Sequence, residues 1–122
     1  MAESYIPNPI GFTNSTIAIK SVGGTGTRDI LLLDFPYLKI AYINGSVSII
    51  TAMTPGASSE ALATMPSHIR PSYGQHILCN RTDSGSAACN LYVNTSGNVH
   101  IVPLQAVPSG VLVFASGWIY YG

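Results

Sequence analysis

The sequence predicts a single all-β domain, a β-sandwich or jelly roll of about eight to nine short antiparallel strands. The chain has 122 residues, which is enough for one hydrophobic core and too few for two ordinary ones. Short runs rich in β-branched and aromatic residues alternate with turn residues at regular spacing, a pattern typical of sandwiches. No stretch shows the 3.6-residue period of an amphipathic helix.

Residues 1–13 are predicted to form an arm or linker, and residues 14–122 the folded domain. Pro7, Pro9 and Gly11 lie in the first segment, and such residues do not pair regularly in a sheet. A helix over 58–64 is an alternative to the fifth predicted strand. The predicted strands are Thr16–Lys20, Arg28–Phe35, Tyr37–Ile43, Ser46–Met53, Ala61–Met65, Gln75–Arg81, Ser86–Asn94, Asn98–Val102 and Val111–Tyr121.

The strongest local signal is the pair Asn44-Gly45, which stands between two β-branched runs. Both central positions of a type I′ turn require positive φ, and Asn and Gly tolerate that conformation. The sequence therefore predicts a hairpin that turns at Asn44-Gly45.

The last predicted strand, Val111–Tyr121, is apolar at both sets of alternating positions. A strand with one solvated face is polar at every second residue. We therefore expect this strand to lie centrally between two layers or against another subunit.

Charged residues make up only 8% of the chain, whereas hydrophobic residues make up 47%. The longest strongly apolar stretches, such as Ile30–Leu33 and Val111–Ala115, are much shorter than the ~20 residues that span a bilayer. The N-terminus Met1–Ser4 does not resemble a signal peptide. These features argue against membrane insertion and favour an obligate oligomer, because subunit interfaces are depleted of charge.

The basic residues do not predict a nucleic-acid partner. Binding to a phosphate backbone needs a patch of several Lys and Arg side chains. The formal net charge is zero, and the five cations lie at least eight positions apart in the sequence: Lys20, Arg28, Lys39, Arg70 and Arg81.

No motif predicts catalysis, a cofactor or a metal site. The glycine-rich loop at 23–26 lacks the lysine and the strand–helix context of a phosphate-binding loop. The five carboxylates do not suggest a pair held in a cleft, as a two-carboxylate glycosidase requires. The sequence therefore predicts that the domain is not an enzyme.

The histidines and the cysteines each allow two structural interpretations. His68, His76 and His100 are interpreted as ordinary surface or hydrogen-bonded side chains, and His76 and His100 are candidates for cross-strand neighbours. The alternative is an axial histidine that builds a metal site by symmetry in a homo-oligomer. Cys79 and Cys89 flank the predicted turn symmetrically and are expected to face each other. Without a secretory signal we predict free thiols rather than a disulfide.

Few charges, many small polar residues and seven tyrosines are typical of surfaces that recognise sugars or other neutral ligands. Aromatic rings stack on the apolar faces of sugars, while Asn, Asp, His and Arg bond to hydroxyl groups. Tyr73 is a further possible platform, although core or interface roles are the alternative for all such aromatics. The candidate saccharide-binding residues are Trp118, Tyr92, His76, Asn80, Arg81, Asp83 and His100.

The segment Ala63–Ser72, with Pro66, Arg70 and Pro71, resembles a turn of phage tail-fibre and baseplate domains. Further similarity lies in the order of the segments that follow and in the upstream run 39–50, so that the resemblance covers roughly residues 37–122. The downstream segments are Gln75–Cys79, Ala87–Val93, Asn94–Ile101 and Ala115–Tyr121.

This resemblance implies a β-sandwich head that assembles as a homotrimer at a phage tail tip or fibre and is made in the cytoplasm of a bacterial host. It implies adhesion to host cell-surface polysaccharide, with residues 1–13 leading to a stem and to other tail or baseplate proteins. A structural fibre, baseplate or capsid-decoration module that binds only virion proteins is the alternative. A polysaccharide-cleaving enzyme fragment is a third hypothesis.

Overall fold

The computed structural model describes residues 11–122, and within this range it contains eight β-strands and no helix. The predicted all-β class is therefore confirmed. The strands are β1 (Thr13–Lys20), β2 (Thr27–Phe35), β3 (Ile40–Ile49), β4 (Ala63–Thr64), β5 (Gln75–Arg81), β6 (Ala87–Val93), β7 (Asn98–Pro103) and β8 (Val111–Tyr120).

All eight strands belong to one antiparallel sheet with the order β1-β2-β3-β8-β5-β6-β7-β4. The last strand of the chain, β8, lies centrally between β3 and β5 in the strand order. Only one of its faces is buried, however: Phe114, Trp118 and Tyr120 on the other face are exposed. The strand therefore does not lie between two layers of this domain, and its contact with another subunit stays a prediction. Its ladder with β3 is the longest in the sheet and runs from Ile40↔Tyr120 to Ile49↔Val111. Its ladder with β5 covers only Cys79–Arg81.

The sheet curves so that its two edge strands approach each other. The amide of Lys20, at the end of β1, donates a hydrogen bond of 2.9 Å to the carbonyl oxygen of Leu62, just before β4. Alternate residues from the strands point into one shared core, as in a sandwich or barrel. The largest fully buried side chains include Ile19, Ile30, Leu32, Ile43, Ile49, Met65, Ile69, Leu91, Ile101 and Ile119.

The predicted hairpin at Asn44-Gly45 is wrong. β3 runs straight through this pair: Asn44 lies opposite Leu31 and Ser116, and Gly45 lies opposite Ala115. Neither residue has positive φ. Glycine is needed here for space, since a Cβ atom would lie 2.4 Å from Cγ2 of Ile30.

The turn between β2 and β3 lies instead at residues 36–39. The amide of Leu38 bonds to the carbonyl oxygen of Phe35 at 3.0 Å, and Lys39 takes the left-handed conformation with φ of 58°. No Gly or Asn occupies the Lys39 position, but Pro36 stands at the second position of the turn, which proline favours.

Apart from β4, the other predicted strands differ from the observed strands only at their ends. The fifth predicted strand, Ala61–Met65, is reduced to two residues, and the alternative helix over 58–64 does not form. The second half of the wrongly predicted hairpin ends at Ile49, and Met53 makes only an isolated bridge with Val107. Within the predicted arm, residues 1–10 lie outside the described range, and Thr13 begins β1.

Candidate functional site

The outer face of the sheet, which points away from the core, carries a cluster of four aromatic rings. Trp118 on β8 and Tyr42 on β3 are opposite each other in the ladder, with ring centroids 4.9 Å apart. Phe35 lies 5.6 Å from Trp118, and Phe12 stacks on Phe35 at 5.3 Å. The Trp118 side chain remains 52% exposed, so one part of the cluster is open to a ligand.

Next to these rings lies a group of three hydrogen-bonded polar side chains. The hydroxyl groups of Tyr42 and Ser116 are 2.6 Å apart, and the Asn44 amide donates to the Tyr42 hydroxyl at 3.0 Å and to Ser116 at 3.4 Å. The bond with Ser116, and next the bond from Asn44, lower the pKa of Tyr42.

The period of two along a strand explains why these groups meet. Tyr42 and Asn44 are two residues apart on β3, as are Ser116 and Trp118 on β8, so each pair projects to the same face. The β3–β8 register then sets Tyr42 opposite Trp118 and Asn44 opposite Ser116. An aromatic platform beside neutral donors and acceptors fits a neutral, hydroxylated ligand.

Tyr42, Asn44 and Ser116 were missed by sequence reasoning, whereas Trp118 was predicted. The position of Ser116 two residues before Trp118 was a usable signal, because both lie on one alternation set. Asn44 is not recognisable as a site residue from the sequence, because Asn44-Gly45 has the pattern of a hairpin turn.

Three more predicted site residues form a strip farther along the same sheet. Tyr92 lies opposite both His76 and His100 in its two ladders, with ring centroids 4.6 Å and 6.5 Å away. Nδ1 of His100 lies 2.9 Å from the Ser59 carbonyl oxygen. Tyr92 also covers the backbone of Gly74, where a Cβ atom would lie 2.4 Å from its ring.

The remaining predicted site residues lie at the other end of β5. Arg81 forms a two-bond ion pair with Asp83, with N–O distances of 2.9 and 2.8 Å. This pairing lowers the pKa of Asp83 and raises that of Arg81. Asn80 lies opposite Phe114, which is four residues before Trp118 along β8. The structure therefore does not bring Asn80, Arg81 and Asp83 to Trp118.

One carboxylate is buried in the described part of the chain. Asp34 is 6% exposed, and its oxygens bond to the Tyr121 hydroxyl and, at 2.7 Å, to Nε2 of His68. Burial, and next the bond to Asp34, raise the pKa of Tyr121. The network ties β2, the 66–70 segment and the end of the chain together.

A cavity of about 310 Å³ opens to solvent beside β1. Its walls come from the loop after β1 and from the crossing segment between β3 and β4. Hydroxyl groups of Thr51, Thr54, Ser58 and Ser59 line it together with Glu60, which pairs with Lys20 at 3.5 Å. No aromatic side chain lines it.

Residues 11–122 include no helix long and apolar enough to cross a membrane. Nor do any three of their His, Cys, Asp or Glu side chains lie close enough to hold a metal ion together.

A scan against protein-family models finds no match to this chain, and a search of curated proteins finds none either. Interpretation of the site therefore depends on its own geometry.

Proposed function

We propose that this domain is a phage receptor-binding head, which attaches the virion to a host cell-surface saccharide without cleaving it. The observation that carries this proposal is the half-exposed Trp118 ring beside Tyr42, Asn44 and Ser116. The ring offers an apolar platform for one face of a sugar, and the three polar groups bond to its hydroxyls. The resemblance of residues 37–122 to tail-fibre and baseplate domains supports the same assignment.

We propose further that the head acts as a homotrimer, joined through its N-terminal side to other tail or baseplate proteins. The low charge content supports this, as does an apolar end surface formed by Tyr37, Leu38, Tyr73 and Tyr120. Tyr37 is 77% exposed. Bonds from Tyr121 to Lys39 and from Ser72 to Gly122 hold these segments together. A second copy of the chain would cover this surface.

Calorimetric titration with polysaccharide purified from the host cell surface tests saccharide binding. The unchanged domain should bind saturably and release no shorter products. Trp118→Ala should weaken binding at least about fivefold, because removing a stacking platform costs more than ~1 kcal/mol. Phe114→Ala is the matched control, since Phe114 is 41% exposed on the same face of the same strand; it should bind normally.

A structural module that binds only virion proteins is the second candidate. The exposed apolar side chains Leu78 and Phe114, which lie on the adjacent strands β5 and β8, favour it, because contiguous apolar patches commonly mark protein contacts. Absence of saturable binding at millimolar saccharide would support this candidate and exclude adhesion.

Mass measurement in solution tests the trimer. We expect a mass three times that of the chain at micromolar concentration, and Tyr37→Lys should shift it toward the monomer. Ile50→Lys is the control, because Ile50 is also exposed but follows the opposite end of β3. A stable monomer for the unchanged domain would contradict the homotrimer.

A further inference from the structure

The two cysteines of the chain lie directly opposite each other on neighbouring strands. Cys79 on β5 and Cys89 on β6 are partners in the antiparallel ladder, and both are 0% exposed. Both thiols are free, and the Cys79 thiol donates a hydrogen bond of 3.6 Å to the carbonyl oxygen of Ile77. The chain contains no other cysteine, so each thiol has a single possible partner within the molecule.

The backbone geometry of this pair suits a covalent bond. Directly opposite residues of an antiparallel ladder have Cα atoms about 4.5–5.5 Å apart, and disulfides require about 4.4–6.8 Å. Both residues belong to the buried core, so their side chains project to the same side of the sheet. A bond between them would need no movement of the strands.

An opening route to the thiols lies at the end of the same hairpin. The β5–β6 register shifts at a bulge between Cys79 and Asn80, and the ladder ends at the next pair, Asn80↔Ala87. The connecting residues 82–86 are exposed. Access to the thiols requires a local opening at this end of the hairpin, which also breaks the three pairs between β5 and β8 at residues 79–81. Such a local opening costs less than unfolding of the whole domain.

The two thiols differ in readiness to react. The neighbouring Cys79 side chain lowers the pKa of Cys89, while Cys89, and then burial, raise the pKa of Cys79. Since the thiolate is the nucleophile, Cys89 is the residue that attacks first.

We propose that Cys79 and Cys89 form an oxidative modification site, which a low-molecular-weight disulfide such as oxidised glutathione converts into a cross-strand disulfide. The Cys89 thiolate attacks one glutathione sulfur, which breaks the glutathione disulfide and releases one reduced glutathione. The Cys79 thiolate then attacks the sulfur of Cys89 and releases the second. The protein loses two electrons and two protons, and oxidised glutathione is reduced to two thiols.

This site is independent of saccharide binding, because it lies in the core rather than on the outer face. The oxidised bond links residues 79 and 89 and restricts the unfolded chain. We therefore expect the oxidised domain to unfold several degrees above the reduced one.

The test uses the unchanged protein in native buffer, incubated with oxidised glutathione at mildly alkaline pH. The intact mass should fall by two hydrogens, the denatured product should contain no reactive thiol, and dithiothreitol should restore both thiols. Two thiols that still react after denaturation would overturn the proposal, as would stable addition of two glutathionyl groups or covalent dimers.

A second measurement compares thermal unfolding of the reduced and oxidised forms. A higher midpoint for the oxidised form is expected. A lower midpoint would show that the bond strains the hairpin and would overturn the proposed fit. Cys79→Ala together with Cys89→Ala should remove all response to glutathione, and any residual mass change would place the modification elsewhere.

Discussion

Asp34 accepts a hydrogen bond from the hydroxyl group of Tyr121, and this contact joins the end of β2 to the residue that follows β8. Both side chains are largely buried. A buried carboxylate is costly unless its oxygens are bonded. The contact therefore holds the last residues of the chain against the core.

Replacing Tyr121 by Phe should destabilise the domain by about 1–3 kcal/mol, the usual cost of leaving a buried polar group without its partner. Urea unfolding followed by Trp118 fluorescence measures the change. Tyr120→Phe is the control, because Tyr120 points outward and is exposed. Equal stability of the Tyr121→Phe variant and the unchanged domain would contradict the assigned role.

The raised pKa of Tyr121 also predicts a pH dependence. In the unfolded chain this hydroxyl ionises near its ordinary value of about 10, whereas in the folded domain it keeps its proton to higher pH. Above about pH 10 the unfolded state thus holds fewer protons than the folded state, and stability falls as the pH rises. Thermal midpoints between pH 8 and 11 should fall less steeply in Tyr121→Phe, and parallel curves would refute this explanation.

Gly45→Ala should destabilise the domain by about 1–3 kcal/mol, as overpacking of a core does. Its new Cβ atom would meet Ile30 at 2.4–2.6 Å. Gly26→Ala is the matched control: the nearest atom there is 4.0 Å away and the backbone has no positive φ. If both variants unfold at the same urea concentration, steric need does not explain Gly45.

Deleting Trp118–Gly122 should give insoluble protein. The deletion removes the partners of Ile40, Ala41 and Tyr42 in the central ladder and leaves Asp34 without Tyr121. Deleting Gly122 alone is the control and should leave a soluble domain. Circular dichroism and a sedimentation assay compare the two, and a soluble, cooperatively unfolding form of the longer truncation would contradict the central role of β8.

Most strands followed from the sequence because alternation of side chains depends on local order alone. β5 was predicted with its observed ends, and β8 to within one residue. Asn44-Gly45 misled the prediction because its turn propensity is real but weaker than the packing requirement of Ile30, which lies on another strand. A contact of that kind is not encoded in neighbouring residues.

The candidate site was predictable only in part, for the same reason. Trp118, His76, Tyr92 and His100 stood out as residue types that bind ligands, and the structure sets them on one outer face. Ser116 shares the alternation set of Trp118, but Tyr42 carries no distinguishing local pattern. They join the site through the pairing of β3 with β8, which depends on residues about seventy positions apart.

That long-range pairing has a kinetic consequence. Residues 40–49 leave the ribosome long before residues 111–120. The central strand of the sheet is therefore missing until synthesis of β8 is finished. Until then, β3 and β5 lack the strand that joins them. Chains dominated by such distant pairings fold in milliseconds to seconds rather than microseconds. During this folding time the apolar interior of the newly made protein is open to solvent.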